Sequence, residues 1–280
     1  MSVGRGKYGF SRSFYRVFLF FFLLLTFSSV LRAGQREDFD EYTLRINTFL
    51  FHSNPSGSIQ GQGDSMPIDL LGDLNFDSHT TFSGKVDWKF TRKNHLYLAF
   101  TPFSASSQSV LTRSVNFQGQ TFEVGLMTQS DLHASIVAPG YQYDIFRGKR
   151  GHLGVGVQVD IIDAAATISA AAQVVNGGQQ AAVSASGSFL VPLPVAGPQF
   201  RFYLTDSPRL FVEGGLYGMY FFGYGSIISS SANIGYSLSK HISVNVGYQL
   251  GSRVVVTNQE DRFGIHLTQK GVLIGMEFSF

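Results

Sequence analysis

The chain has 280 residues, of which 44% are hydrophobic, 14% charged and 14% aromatic, with 31 Gly and no Cys. Low charge with abundant Gly and Phe excludes a disordered chain or a coiled coil, and the lack of Cys excludes disulfides, thiolate metal sites and a cysteine nucleophile. The formal net charge is +2, but removing the five basic residues of positions 1–33 leaves 16 basic against 19 acidic residues, so no basic nucleic-acid-binding surface is predicted.

Residues 1–33 have the pattern of a cleaved export signal. Basic residues at positions 5–16 precede an apolar run at 17–27, and small and polar residues return before Ala33. This run is near half of the roughly 20 residues that a transmembrane helix needs, which favours cleavage over a permanent anchor. We therefore predict a signal peptide at 1–33 and a mature chain that begins near Gly34.

The remaining chain alternates apolar and polar residues with a period of two, which is typical of strands that have two different faces. The alternation is clear at 85–90, 95–100 and 152–161, and again at 241–250 and 271–280. It predicts ten strands, at roughly 42–53, 67–90, 94–116, 120–146, 151–174, 180–204, 209–221, 226–238, 241–256 and 263–280.

The connections between these strands alternate in length. Tight polar turns at 91–94, 147–150, 205–208 and 239–240 contrast with longer connections at 54–66, 222–225 and 257–262. An even number of strands with both chain ends on the tight-turn side fits a transmembrane antiparallel up-and-down β-barrel. We predict an all-β fold of this kind with about 10 strands, in a range of 8–12.

A soluble antiparallel sandwich would also show a period of two. Its exposed faces should be rich in Lys, Glu and Thr, whereas the polar face here is mostly Gly, Ser, Asn and Gln. Aromatic residues also gather near the strand ends, as in the two girdles at membrane interfaces. The barrel is therefore favoured, with a short periplasmic segment at 34–41 and the outer-membrane barrel at 42–280.

The C-terminal strand resembles the signal that the bacterial outer-membrane barrel assembly machinery recognises. It ends in Phe280, preceded by apolar residues at alternate positions, namely Val272, Ile274, Met276 and Phe278. Segments 67–74, 113–122, 141–143 and 247–249 resemble a family of uncharacterised, porin-like outer-membrane barrels. The resemblance covers most of 42–280. It implies a location in the bacterial outer membrane, contact with outer-membrane lipid and assembly by that machinery, but no activity.

The alternation also predicts which charged residues line the lumen. Nine are expected to point inward, namely Arg45, Lys85, Asp87, Lys89, Asp144, Asp160, Arg201, Glu213 and Glu277. They could form mutual ion pairs that fill a narrow interior, or line a polar conduit for a small solute. A ten-stranded barrel lies between small filled barrels and the open channels of 16–18 strands, so a filled or very narrow lumen is favoured.

We therefore expect a non-catalytic outer-membrane protein with a structural or small-solute pore role and with no cofactor. One alternative is a hydrolase that uses Asp131 and His133, which lie two residues apart on one strand face; omptin-like outer-membrane proteases resemble this chain in strand number. Another is a surface adhesin or receptor that acts through the connections at 54–66, 222–225 and 257–262.

Three histidines, His95, His152 and His241, each begin a strand after a tight turn. A metal site would require the three side chains to converge, and the predicted strands that carry them are not all neighbours. Hydrogen bonding at the barrel rim is the favoured interpretation, and no metal site is predicted.

Overall fold

A computed structural model describes residues 39–60, 66–170, 173–175, 178–180, 182–205, 209–221, 225–257 and 264–280. The predicted signal peptide lies outside these residues. The described residues form fifteen strands: β1 (Leu44–Gln60), β2 (Ile68–Asp69), β3 (His79–Lys89), β4 (Asn94–Val110), β5 (Val115–Phe117), β6 (Gln120–Phe122), β7 (Met127–Gly148), β8 (Gly151–Ala170), β9 (Gln173–Val175), β10 (Gly178–Gln180), β11 (Val183–Tyr203), β12 (Leu210–Phe221), β13 (Gly225–Ser237), β14 (Ile242–Thr257) and β15 (Gly264–Ser279).

Ten of these strands build one closed barrel. The order around the wall is β1, β3, β4, β7, β8, β11, β12, β13, β14 and β15, and every neighbouring pair is antiparallel. Pairing of β15 with β1 runs from Arg45 opposite Ser279 to Gln60 opposite Gly264 and closes the sheet on itself. The predicted fold class, an all-β up-and-down antiparallel barrel of about ten strands, is confirmed.

Three predicted boundaries are wrong. The segment 67–90 is not one strand, because the chain turns at 70–74 before β3 begins at His79. The Asp69 carboxylate accepts the backbone N–H groups of Leu71 (2.8 Å) and Gly72 (2.6 Å), which stabilises this turn. Residues 111–126 also leave the wall, between β4 and β7, and carry the small β5–β6 hairpin. Conversely, the predicted connection 54–66 belongs to β1 as far as Gln60.

The outward face of the barrel carries an apolar band. On β8 it includes Leu153, Val155, Val157, Val159 and Ile161, and the outward positions beyond it are Asp163, Ala165, Thr167 and Ser169. Residues 153–161 span about 26 Å along the strand. At a tilt of about 40° this gives about 20 Å along the membrane normal, close to the height of an outer-membrane apolar band. No helix in the described part of the chain is long and apolar enough to span a membrane.

Among the strands that continue past this band, four form what we call the outer lobe, made of residues 101–110 of β4, 127–136 of β7, 162–170 of β8 and 183–191 of β11. Continuous register joins them, from Thr101 opposite Ile136 to Val183 opposite Ala170. The inner face of the outer lobe is mostly apolar, with Thr128 and Ser130 as buried polar members, and packs against the segments 66–76 and 111–126, which we call the two inserts. The main apolar core therefore lies inside the outer half of the barrel.

Candidate functional site

The lumen contains three layers of side chains. The layer nearest the tight turns, called the basal cluster, is made of charged and aromatic groups from eight wall strands and from residues 39–43, which we call the strap. Its charged and imidazole members are Asp40, Arg45, Asp87, Lys89, His95, Asp144, Arg147, His152, Arg201, Glu213 and Glu277. Because these strands lie side by side around one small closed wall, side chains far apart in sequence contact one another across the lumen.

Arg201 is the central cation of the basal cluster. Its two terminal nitrogens donate to both carboxylate oxygens of Glu277, at 2.6 and 2.7 Å, and one of them also donates to Glu213 at 2.9 Å. The guanidinium carbon lies 3.6 Å from the centre of the Phe211 ring. Arg201 is only 2% exposed, so its charge is stabilised by these partners and not by water.

Two histidines of the basal cluster share one carboxylate. His95 Nε2 lies 3.0 Å from Asp144 Oδ2 and its Nδ1 lies 3.2 Å from Asp87, while His152 Nε2 lies 4.0 Å from the other oxygen of Asp144. The interpretation of His95 and His152 as rim residues is wrong, because β4 and β8 flank β7 and bring both rings into the buried cluster, 5.8 Å apart. His241 does lie at the rim, with Nδ1 2.7 Å from the Ser279 carbonyl oxygen.

Within the described ranges, no group of three or more His, Asp and Glu side chains is arranged to hold a metal ion. The basal cluster shows why its carboxylates are unsuited to one. Arg147 donates to Asp144 at 3.2 Å, and Arg45 donates to Asp40 at 2.5 Å. Cations of the protein itself therefore occupy the positions around these carboxylates.

The strap lies across the tight-turn end of the lumen. Its Phe39 N–H donates to the Lys149 carbonyl in the β7–β8 turn (2.9 Å), and its Thr43 N–H donates to the Phe280 carbonyl (2.6 Å). Between these anchors, Asp40 and Tyr42 point into the basal cluster, where Tyr42 Oη lies 3.0 Å from His95 Nδ1. The predicted periplasmic segment 34–41 thus ends inside the mouth of the barrel, at residues 39–41.

Asp40 is ionised within this cluster. Burial acts to raise the pKa of its carboxyl group, but Arg45, His152 and Lys89 outweigh that effect and hold the pKa well below its usual value. Sequence reasoning missed Asp40 because the strap precedes the first alternating segment. It also missed Arg147, which lies in a predicted turn.

The middle layer is a hydrogen-bonded aromatic belt above the basal cluster. Tyr97 Oη lies 2.9 Å from both Gln158 Oε1 and Tyr217 Oη, and the Lys85 ammonium lies 4.2 Å from the centre of the Tyr97 ring. Gly140 is required beside this belt, since a Cβ there would overlap the Tyr97 ring. The belt separates the charged layer from the apolar layer above it.

The third layer is apolar and fills the outer half of the lumen. Insert residues Leu70, Phe76, Phe117 and Phe122 are at most 2% exposed and pack against the inner face of the outer lobe. Beneath them lies a cavity of about 30 Å³, bordered by Phe103, Ile136, Ile162, Phe189, Ile265 and Leu267 among others. A cavity of this size has room for about two water molecules.

An ion pair at the outer rim joins the two inserts. Arg113 donates to both carboxylate oxygens of Asp73, at 2.9 and 2.5 Å, and to the Pro67 carbonyl at 2.9 Å. Burial acts to raise the pKa of Asp73, but the hydrogen bonds from Arg113 lower it below its usual value. The pair fixes insert 111–126 against insert 66–76.

The structure places all nine charged residues that alternation assigns to the lumen on inward positions, and seven of them are buried. Lys85 and Glu213 are half-buried; the buried ones are Arg45, Asp87, Lys89, Asp144, Asp160, Arg201 and Glu277. Asp160 lies in the middle layer, where it accepts a hydrogen bond from Gln158 Nε2 at 2.6 Å.

Asp131 and His133 lie on the outward face of the outer lobe, away from the lumen. Asp131 accepts a hydrogen bond from Ser106 on the neighbouring strand at 2.7 Å, and His133 is exposed. The structure therefore brings neither residue to the buried charged groups.

The remaining predicted segments are the C-terminal assembly signal and the external connections. The C-terminal apolar residues are exposed on the outward face of β15 and just after it: Val272, Ile274, Met276 and Phe280 are 42–57% exposed and Phe278 is half-buried. Of the predicted external connections, residues 61–65, 222–224 and 258–262 lie outside the described residues.

Comparison with known proteins identifies the fold. No family model and no curated protein matches the chain. The solved outer membrane protease OmpT from Escherichia coli is similar over 87% of this chain and 100% of that chain, with 11% identity and a TM-score of 0.54. The translocator domain of autotransporter NalP from Neisseria meningitidis is similar over 96% of this chain and 97% of that chain, with 10% identity and a TM-score of 0.43. Ail of Yersinia pestis is similar over 84% of this chain and 99% of that chain, with 10% identity and a TM-score of 0.33.

At this identity the likeness to OmpT shows the fold alone. Together with the closed ten-stranded wall and the apolar outward band, it confirms the predicted resemblance to bacterial outer-membrane barrels and agrees with the predicted location in the outer membrane. The chain has the fold of a bacterial outer-membrane β-barrel.

Proposed function

We propose that this chain is a non-catalytic outer-membrane barrel with a filled lumen, and that it acts at the cell surface through its outer lobe and not as a diffusion pore. The observation that carries this proposal is the stacking of three layers in one lumen. Each layer is filled by a different kind of contact, namely ion pairs, hydrogen-bonded aromatic groups and apolar packing.

The charged layer supports a filled lumen because its groups are committed to one another. The bidentate pair between Arg201 and Glu277 leaves neither group oriented towards a passing solute. A solute that passed the basal cluster would then meet the Tyr97–Tyr217 belt and the buried inserts. Passage would require disruption of all three layers, which disfavours the small-solute role.

Solute uptake by liposomes tests the proposal. Liposomes that contain the purified protein should swell in small sugars no faster than protein-free liposomes, while liposomes that contain a general diffusion porin should swell quickly. Swelling that scales with the amount of protein would restore the pore role. Heat-modifiable migration in SDS gels would show that the inserted chain is folded.

Binding at the surface is supported by the polar outward face of the outer lobe and by apolar side chains at its rim. Five of these side chains are 55–59% exposed, namely Met66, Leu71, Val110, Val124 and Met127. Replacement of the exposed Val110, Val124 and Met127 by Ser should reduce attachment of expressing cells to a hydrocarbon-coated surface without loss of the folded barrel, because these side chains lie outside the buried apolar layer. Unchanged attachment would remove support for this role.

The hydrolase alternative depends on Asp131 and His133. The Asp131 carboxylate is engaged by Ser106, and both residues lie on an outward sheet face. The double variant D131A/H133A should leave any peptide or ester hydrolysis in the purified sample unchanged. Loss of hydrolysis in that folded variant alone would support the enzyme.

A further inference from the structure

The Asp40 carboxylate occupies a cradle of basic side chains that come from four different strands. Its Oδ1 lies 2.5 Å from Arg45 Nη2 and 3.7 Å from Arg201 Nε, and its Oδ2 lies 2.8 Å from His152 Nδ1 and 3.7 Å from Lys89 Nζ. The backbone carbonyl of Asp40 accepts hydrogen bonds from Lys89 Nζ and Arg147 Nη2, both at 2.9 Å.

The cradle is built by the barrel wall, whereas its occupant comes from the strap. The other nearby carboxylates are held by the wall itself: Glu277 and Glu213 bind Arg201, and Asp144 binds Arg147. Asp87 is another carboxylate of the barrel wall, and it contacts His95. Asp40 is thus the carboxylate that reaches the cradle from the tight-turn side, on a segment anchored by Phe39 and Thr43.

We propose that the basal cluster contains an anion-binding site for a small carboxylate, and that Asp40 of the strap occupies it as a tethered ligand. Convergent Arg, Lys and His donors in a buried setting bind a carboxylate through charge-assisted hydrogen bonds. Removal of the Asp40 side chain, with the strap still in place, leaves this site open to a small free carboxylate.

The low pKa of Asp40 agrees with this arrangement, because the cradle favours the ionised carboxylate over the neutral acid. The side chain of Asp40 is 1% exposed, so a carboxylate in this position is shielded from competing water. Formate carries the same carboxylate group as Asp40 and is small enough for the space left by the carboxymethyl group that Asp40→Gly removes.

Chemical rescue of Asp40→Gly by formate tests the proposal. The full-length gene is expressed, and the protein purified from membranes is unfolded in urea and refolded into detergent micelles with sodium formate or with sodium chloride at equal ionic strength. We expect formate to raise both the refolding yield and the melting midpoint of D40G, with a saturating dependence on concentration as mass action requires. Chloride should give a smaller rise.

Two matched variants complete the design. Asp40→Asn keeps the cradle filled by an amide of the same shape, so formate should not rescue it. Asp73→Gly removes a carboxylate from the outer rim pair with Arg113, and formate should not rescue it either. Equal responses of D40G to formate and chloride, or failure of D40G to refold in both salts, would overturn the proposal.

Discussion

Removal of the Arg201 charge should destabilise the barrel strongly, whereas removal of Arg201 and its partner Glu277 together should destabilise it only slightly. In Arg201→Met the buried Glu277 carboxylate loses both short hydrogen bonds from Arg201. Loss of one partner of a buried ion pair costs about 3–5 kcal/mol in free energy of unfolding. We expect a loss in that range, because Glu277 is 1% exposed and water cannot replace Arg201.

The double variant R201M/E277L removes both charges. Arg45 then loses Glu277, which lies 3.6 Å from its Nε, but keeps Asp40 at 2.5 Å, and Glu213 keeps Asn233 at 3.3 Å. The remaining loss should be about 1 kcal/mol, since apolar replacement of a buried pair is often neutral. The coupling energy between the two positions is then about 2 kcal/mol or more.

Equilibrium urea unfolding in phospholipid bilayers measures these energies, with the single tryptophan, Trp88, as fluorescent reporter. Trp88 is 42% exposed on the outward face, next to Phe90, and so reports insertion of the wall. Arg113→Met is the control, because its pair with Asp73 lies at the exposed rim and should contribute no more than about 1 kcal/mol. Additive losses in R201M/E277L would refute the reasoning.

Two further substitutions test the basal cluster and the middle layer. Asp40→Asn should destabilise the protein at neutral pH, and the difference in stability from the wild type should disappear in acid. The pKa of Asp40 in the folded protein lies below its unfolded value of about 3.8. The stability that the ionised Asp40 contributes is therefore present above that value and is lost as the pH falls through the folded pKa. Melting midpoints of both proteins across an acid series measure this, and a constant difference would contradict it. Tyr97→Phe should cost about 1–3 kcal/mol, because Gln158 and Tyr217 lose their shared partner; a change below about 0.5 kcal/mol in urea unfolding would show that the belt contributes little.

Alternation along the chain predicts the ten wall strands but not all of their boundaries. The predicted segment 151–174 contains β8, which ends at Ala170, and 241–256 corresponds to β14, because a period of two directly reflects the two faces of a strand. The same rule failed at 111–126. Val115, Phe117 and Phe122 alternate like wall residues, yet they belong to an insert that packs inside the lumen.

The partners within the basal cluster could not be read from the sequence. Arg201 and Glu277 are 76 residues apart, and their contact depends on the closure and register of the whole barrel. His95 and His152 lie close together because their strands, β4 and β8, lie on either side of β7. The sequence suggests this strand order, but it does not show how deep in the lumen either ring lies. Asp40 lies on the strap, where no periodic pattern exists to assign a face.

Single-channel conductance of the purified wild-type protein in a planar bilayer tests the filled lumen most directly. A general diffusion porin in the same bilayer serves as the positive control, and heat-modifiable migration confirms that the inserted protein is folded. We expect no stepwise conductance, because the basal cluster, the Tyr97–Tyr217 belt and the inserts block the lumen in series. Stable conductance steps that grow in proportion to salt concentration would contradict the account and make a diffusion channel the leading function.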